Sequence, residues 1–299
     1  MIYDCWMKYI KDEVKLTELV IPGAHNAGSY GMGKMARCQE DGILKQFRYG
    51  MRQFCLRLST DRKGRIVLSH GLSKGDLLEN ALKDFSYIIE NYPSEILLLD
   101  LREYYPQKFG PVTITYKADK DEVNALLKKY INPEKYAFCD FGDINEVTLQ
   151  KIREAGKRYI LINEKEEYDY SRDCRCILPW EKQVNGAKAA DFAAKTLRFF
   201  DDYKTDGLYW FQTQQTPNIG TPIGLTNPRR LDTELRPYFK SIIDGIKANP
   251  FYLESANIIA GDFMTEDYMK SELILSLNLL KGNVKANCEK EYEKGLNWN

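Results

Sequence analysis

Histidine, net charge and long apolar runs are all scarce in this sequence, and each shortage narrows what the chain can do. Only two of the 299 residues are histidine, His25 and His70. A metal centre built on imidazoles would find almost no ligands. Lysine plus arginine and aspartate plus glutamate balance at 43 each. A neutral chain projects no global field toward nucleic acid or an anionic bilayer, so no nucleic-acid partner is expected and an anionic ligand must be held by a local cluster. No stretch approaches the ~18 apolar residues of a membrane span. Any meeting with a membrane is therefore expected to be a peripheral surface contact, with no transmembrane segment. The opening Met1-Ile-Tyr-Asp-Cys-Trp6 has no basic stretch followed by an apolar core, so no signal peptide is read there. If that N-terminus is native, the expected location is cytoplasmic.

Cysteine is present, but in a pattern that excludes a disulfide framework. Seven are scattered at 5, 38, 55, 139, 174, 176 and 288, and no second ligand pair accompanies Cys174 and Cys176. Reduced thiols in a reducing compartment are expected, with no zinc site. A glycine-rich dinucleotide fingerprint is also missing, and no cofactor is expected.

What the chain does contain is 43% hydrophobic residues in short runs that alternate with helical patterns. Strands are predicted near 19–21, 54–58, 65–68, 96–99, 159–162, 208–212 and 257–260. The first is expected to stop at Pro22-Gly23. Helices are predicted over 77–91, with Asp76 as N-cap, and over 120–130, 147–155, 185–201, 232–248 and 265–280. Strand–helix alternation along the whole chain implies a parallel sheet. About seven strands in a chain near the typical ~250 residues of a barrel imply an α/β fold, a distorted (β/α) TIM-type barrel forming one domain over 1–299. In such barrels chemistry gathers where strands end. His25 follows the first strand, Arg57 lies near the end of the second, His70 follows the third and Asp262 ends a late one. A histidine in such a place can also be a packed core side chain, Arg57 an ion-pair partner and Asp262 the N-cap of the last predicted helix. By themselves the positions suggest a hydrolase of open substrate.

Several segments carry a family resemblance. Ile21-Pro-Gly-Ala-His-Asn-Ala-Gly-Ser-Tyr30 resembles the first catalytic motif of the phosphatidylinositol-specific phospholipase C X-domain superfamily, metal-independent bacterial type. Gly50-Met-Arg-Gln-Phe-Cys-Leu-Arg57 looks like its second motif and Leu68-Ser-His-Gly71 like its third. Tyr92 to Arg102, Trp210 to Pro217 and Asn257-Ile-Ile-Ala-Gly-Asp-Phe263 are similar to later strands, in family order from residue 16 to 265. The resemblance implies a phospholipid substrate and cleavage of its phosphodiester to diacylglycerol and a (cyclic) inositol phosphate. It makes His25 the general base oriented by Asp262, His70 the general acid, and Arg57 the group that stabilises phosphorane charge. Arg102, Gln214 and Gln215 become substrate contacts, and Glu164 falls where an arginine is looked for.

Calcium-dependent members of that superfamily also place Asn after the first His, as Asn26 does, but add carboxylates where Cys55 and Arg57 stand. No Ca²⁺ is expected here, since that ion takes 6–8 oxygen ligands. Metal-independent members carry Asp at the positions of both Asn26 and Cys55. With a neutral Asn26 beside the acid, two alternatives stay open: another phosphodiester substrate, or a catalytically impaired lipid- or inositol-phosphate-binding module.

Overall fold

The structure, a computed structural model, describes residues 2–103, 108–176, 188–202, 206–216 and 226–296. Its frame is a curled sheet. In chain order the first half contributes β1 (Ile21–Ala24), α1 (Ile43–Arg48), β2 (Gln53–Thr60), β3 (Ile66–His70), β4 (Ser73–Leu77), α2 (Leu78–Asn91), β5 (Leu97–Glu103), the small ribbon β6 (Lys108–Phe109) and β7 (Val112–Thr113), α3 (Lys120–Ile131), α4 (Pro133–Tyr136) and α5 (Leu149–Glu154). The second half adds β8 (Tyr159–Ile162), β9 (Ser171–Arg172), β10 (Arg175–Cys176), α6 (Ala189–Thr196), β11 (Leu208–Gln212), α7 (Pro228–Ala248), α8 (Pro250–Ser255), β12 (Ile258–Gly261), α9 (Met269–Leu280) and α10 (Glu289–Leu296).

Eight strands pair in parallel in the order β10-β11-β12-β1-β2-β5-β8-β9. The two ends of that path are only Asp173 and Cys174 apart in the chain. One short segment thus borders both edges and draws the sheet into a distorted TIM-type barrel. Side chains alternate across each strand. Phe54, Leu56, Leu99, Leu161, Phe211 and Ile259 point outward into a core shared with α2, α3, α6, α7 and α9. Ile21, Leu98, Ile160, Leu208, Trp210 and Ile258 point inward and pack on the N-terminal segment and α10 through Trp6, Leu16 and Tyr292. That layer plugs the base of the barrel. One position further up, the same inward face carries Gln53, whose amide meets Trp210 Nε1 at 3.1 Å. A Cβ at Gly23 would come within 2.5 Å of that amide, so β1 needs glycine there to admit it.

Several expectations change. Pro22 and Gly23 do not end β1; they lie within it. β1 pairs with β2 only from Gly23 onward, so the missing N–H of Pro22 faces no ladder. The predicted third strand is not a barrel strand. β3 runs antiparallel to β2 and onward to β4, a hairpin standing on the barrel rim. Asp76 is not the cap of α2. It lies in β4, where its carboxylate accepts from Leu77 N at 2.8 Å and Asn80 Nδ2 at 2.7 Å, and α2 starts with Leu77 as N-cap. α7 starts earlier than its apolar pattern suggests, because Asn227 caps Arg230 N and Pro228 takes the first turn, where its missing N–H costs nothing. α9 starts four residues late, because Thr265 is held by Asp41 (2.6 Å) and Phe263 is left-handed. Of the helix expected over 185–201, residues 185–187 lie outside the described residues. The rest forms α6 and a 3-10 turn, Leu197–Asp202.

Arg52 ties the plugged base to the sheet. It is fully buried, pairs with buried Glu95 at 2.6 Å, donates to the carbonyls of Phe47, Met51 and Tyr3, and stacks over the Phe47 ring at 3.9 Å. Removing one partner strands the other charge in the interior. Glu95→Ala is expected to cost about 3–5 kcal/mol of stability, read from denaturant unfolding of the two proteins. A loss below ~1 kcal/mol would contradict the buried pair.

Candidate active site

Strand register assembles the site. Ala24 of β1 stands beside Gly261 of β12 and Phe54 of β2. His25 and Asp262, each the first residue past its strand, therefore leave the sheet side by side. His25 N still donates to Gly261 O (3.1 Å). The His25 ring contacts Asp262 through Nδ1–Oδ1 at 2.7 Å, with the side chains 16% and 5% exposed. Both turns are held at backbone level as well. Gln39 Nε2 donates to His25 O (2.8 Å) and Gly261 O (2.9 Å), and its Oε1 accepts from Met264 N (3.1 Å). Behind Asp262, buried Lys270 of α9 donates to the Asp262 carbonyl at 2.6 Å and pairs with Asp232 of α7 at 2.5 Å.

His70 arrives by another route. β2 overshoots the barrel mouth, and the antiparallel register Leu58↔Leu68 folds the last residue of β3 back to the level of Leu56 and Arg57. The ring Nδ1 donates to Ala36 O at 2.7 Å, which assigns the neutral proton to Nδ1 and leaves Nε2 to accept. Asn26 Nδ2 lies 3.4 Å from that Nε2. Asn26 is buried in the left-handed region (φ 45°), and among the described residues its Oδ1 has no partner. Cys38 Sγ sits between the two histidines, 3.6 Å from Asn26 Nδ2 and 3.8 Å from His70 Nδ1.

The electrostatics favour neutral rings. Burial holds His25 well below the usual imidazole range, and the charges of Arg57 and Arg102 add to this. Burial and then Arg57 lower His70 to about 4, against the Ala36 carbonyl. Burial and Asp232 push Asp262 up while Lys270 opposes. Asp61 and Asp100 do not reach His70. Asp61 is engaged by Arg65 at 2.8 Å and Asp100 by Arg102 at 2.7 Å.

Around the mouth, Arg102 stands on β5 beside Arg57 on β2. Cys55 is buried on the inward face, between Gln53 and Arg57. An arginine does stand next to Glu164: Arg175 of β10 lies 3.6 Å from it and 3.8 Å from Asp100. Gln214 and Gln215 are buried beyond β11, and Gln214 Nε2 donates to Gln212 Oε1 at 2.6 Å. The structure thus gathers His25, Asp262, Asn26, His70 and Arg57, with Arg102 on the neighbouring strand. Cys38, Gln39, Lys270 and Arg175 escaped the sequence reading. They are reached only through loops, a helix and the two-residue strand β10. Among the described residues one cluster could accept a metal ion: His25, Cys38 and Asp262 place donor atoms within 4.8 Å of one another.

Comparison with known proteins agrees with this geometry. No family model matches the chain. The 1-phosphatidylinositol phosphodiesterase of Staphylococcus aureus (strain Newman) is 29% identical over 118 residues, 38% of this chain and 38% of that protein. The match therefore spans well under half the length of the curated relative. Among solved structures, a phosphatidylinositol-specific phospholipase C from Listeria monocytogenes superposes with a TM-score of 0.66 at 16% identity, covering 92% of this chain and 98% of the other. A phosphatidylinositol-specific phospholipase C from Staphylococcus aureus, described by the modulation of its membrane binding, gives 0.65 at 19% identity, with 91% and 97% covered. The chain has the distorted barrel fold of these bacterial enzymes.

A carboxylate in place of the Asn26 amide would favour imidazolium at His70. Asn26→Asp is expected to raise the His70 pKa above its value of about 4 while leaving the fold unchanged. Ring C–H shifts followed by NMR across a pH titration of the two proteins check this. An unmoved His70 titration would mean that the two side chains are not coupled.

Proposed function

We propose that this chain is a phosphatidylinositol-cleaving phosphodiesterase that works by general acid–base catalysis. One observation carries the reading. Each histidine has its Nδ1 engaged, His25 by Asp262 at 2.7 Å and His70 by Ala36 O at 2.7 Å, so each keeps Nε2 for proton transfer, and the charge of Arg57 acts on both.

In the proposed reaction His25 Nε2 takes the proton of the inositol 2-hydroxyl as its oxygen attacks phosphorus. The phosphorus–oxygen bond to diacylglycerol breaks, and His70 Nε2–H gives its proton to the departing oxygen. The products are diacylglycerol and a cyclic inositol phosphate, and the charge that builds on the phosphoryl oxygens meets the Arg57 guanidinium. Water can then open the ring with the two histidines exchanging roles. Asp262 holds the His25 ring in the tautomer with Nδ1–H and favours the imidazolium formed on proton uptake. Arg102 and Arg175 can meet inositol hydroxyls, with Gln214 and Gln215 beside them.

The acid limb is the weaker one. At its lowered pKa of about 4, little His70 is charged near neutrality. A bound phosphodiester anion offsets the Arg57 charge and raises His70 toward the working range. Asn26 can follow the change, donating from Nδ2 to neutral Nε2 and accepting at Oδ1 from the charged ring. For a lipid substrate the enzyme would sit on a membrane surface. Met35 and Leu72, 49% and 47% exposed on the loops that continue from His25 and His70, suit that contact. No helix among the described residues is long and apolar enough to cross a membrane.

His25→Ala and His70→Ala are each expected to lower the release of water-soluble inositol phosphate from phosphatidylinositol vesicles by about 10²–10⁴-fold, with circular dichroism unchanged. Near-normal rates in either variant would remove that histidine from proton transfer. Assays in the presence of a chelator should show undiminished turnover, because Cys55 and Arg57 stand where calcium-dependent relatives place carboxylates. Loss of turnover that added Ca²⁺ restores would contradict this.

A further inference from the structure

We propose that the floor of the site binds a thiophilic divalent cation, Zn²⁺ in particular, through His25, Cys38 and Asp262, and that its binding switches catalysis off. The second half rests on the function proposed above; the first does not.

The donors are a thiol sulfur, an imidazole nitrogen and a carboxylate oxygen, all within 4.8 Å of one another. Zn–S bonds near 2.3 Å and Zn–N and Zn–O bonds near 2.0–2.2 Å place such donors roughly 3–4 Å apart around a tetrahedral ion, so a small contraction suffices. The donor set selects the ion. Thiolate and imidazole suit zinc, whereas calcium wants many hard oxygens. Charge is contained as well. One thiolate and one carboxylate neutralise a divalent ion, so the liganded cluster carries no net charge beside Arg57 and Arg102. A separate observation points to a ligand as well. Asn26, 3% exposed, keeps its Oδ1 unpartnered among the described residues while its Nδ2 lies 3.6 Å from Cys38 Sγ. A turn of that amide offers the oxygen as a fourth ligand.

Cys38 is 1% exposed, and burial pushes its thiol up, so without metal it is a neutral S–H. Binding forms S–Zn and O–Zn bonds, and an N–Zn bond at His25 Nδ1, the nitrogen that faces Asp262. The Cys38 proton leaves to solvent. The His25 proton moves from Nδ1 to Nε2. That shift disables the base, because Nε2 now carries a proton and cannot accept one from a hydroxyl. Asp262 is withdrawn from the ring in the same step.

Co²⁺ serves as the spectroscopic probe. Titrating the full chain is expected to give tetrahedral d–d bands with a thiolate charge-transfer band, saturating at one ion per chain and displaced by Zn²⁺. Cys38→Ala, and Cys38→Ser should the alanine variant fold poorly, are expected to lose the charge-transfer band and weaken Co²⁺ at least tenfold. Cys176→Ala should bind as the parent does. Zn²⁺ at one equivalent should arrest phosphatidylinositol cleavage by the parent, a chelator should restore it, and whatever rate the Cys38 variants show should be insensitive to Zn²⁺. A Co²⁺ complex without thiolate absorption, or one undiminished in both Cys38 variants, overturns the site. Clean binding with cleavage unaffected by Zn²⁺ overturns the switch. A parent that binds the ion but never cleaves phosphatidylinositol rejects the function and the switch while leaving the site standing.

Discussion

The register of four parallel strands is the constraint on which the rest depends. β12, β1, β2 and β5 pair so that Gly261, Ala24 and Phe54 lie side by side, while Arg57 lies beside Arg102. Because side chains alternate with a period of two, a slip of one residue in any of these pairs would turn a functional group outward into the helix layer. The register is itself held from outside the sheet. Gln39 bridges the carbonyls of His25 and Gly261, and Asn257 Nδ2 donates to Leu16 and Leu19 just below β1 at 2.9 and 2.7 Å. The apolar plug under the barrel and the charged mouth above it are two layers of one inward face.

The burial that strengthens the fields of Arg57 and Arg102 also makes it hard to charge the site's own rings. Arg57 and Arg102 stand over imidazoles that are already desolvated, and both effects press toward neutrality. At His25 this suits the proposed base, which must be free to accept a proton, with Asp262 placed to compensate once the proton arrives. His70 lacks that help, since its Nδ1 meets a backbone carbonyl and its Nε2 an amide. The two histidines are alike in having Nδ1 held, and they differ in the charge of the group that holds it.

Cys38 gives this pocket a second chemistry. The loop between His25 and α1 returns the thiol to the His25–Asp262 pair, and Ser29 Oγ fixes the turn by accepting from Cys38 N (2.9 Å) and Gln39 N (3.1 Å). A site proposed for acid–base chemistry can thus also carry the donors for a metal ion. The two occupations exclude each other, because both use His25.

The sequence alone determined the local features. Runs such as 96–99, 159–162, 208–212 and 257–260 read as buried strands because both faces of a barrel strand are covered, and His25 and Asp262 were visible as residues at strand ends. Their resemblance to known motifs also named the histidines, Arg57 and Asn26 as partners before any contact was seen. Other features had only a long-range cause. Periodicity gives the faces of a segment but not its neighbours, so β3 looked like a barrel strand until its antiparallel pairing with β2 was known. Pro22 read as a stop because its tolerance depends on where β2 begins, thirty residues on. Cys38, Lys270 and Arg175 carry no local mark of the site. Their places are set by a loop packed under two turns, by a helix docked behind β12, and by the short segment where the curled sheet comes back to its other edge. These are contacts between distant parts of the chain, and only the tertiary structure decided them.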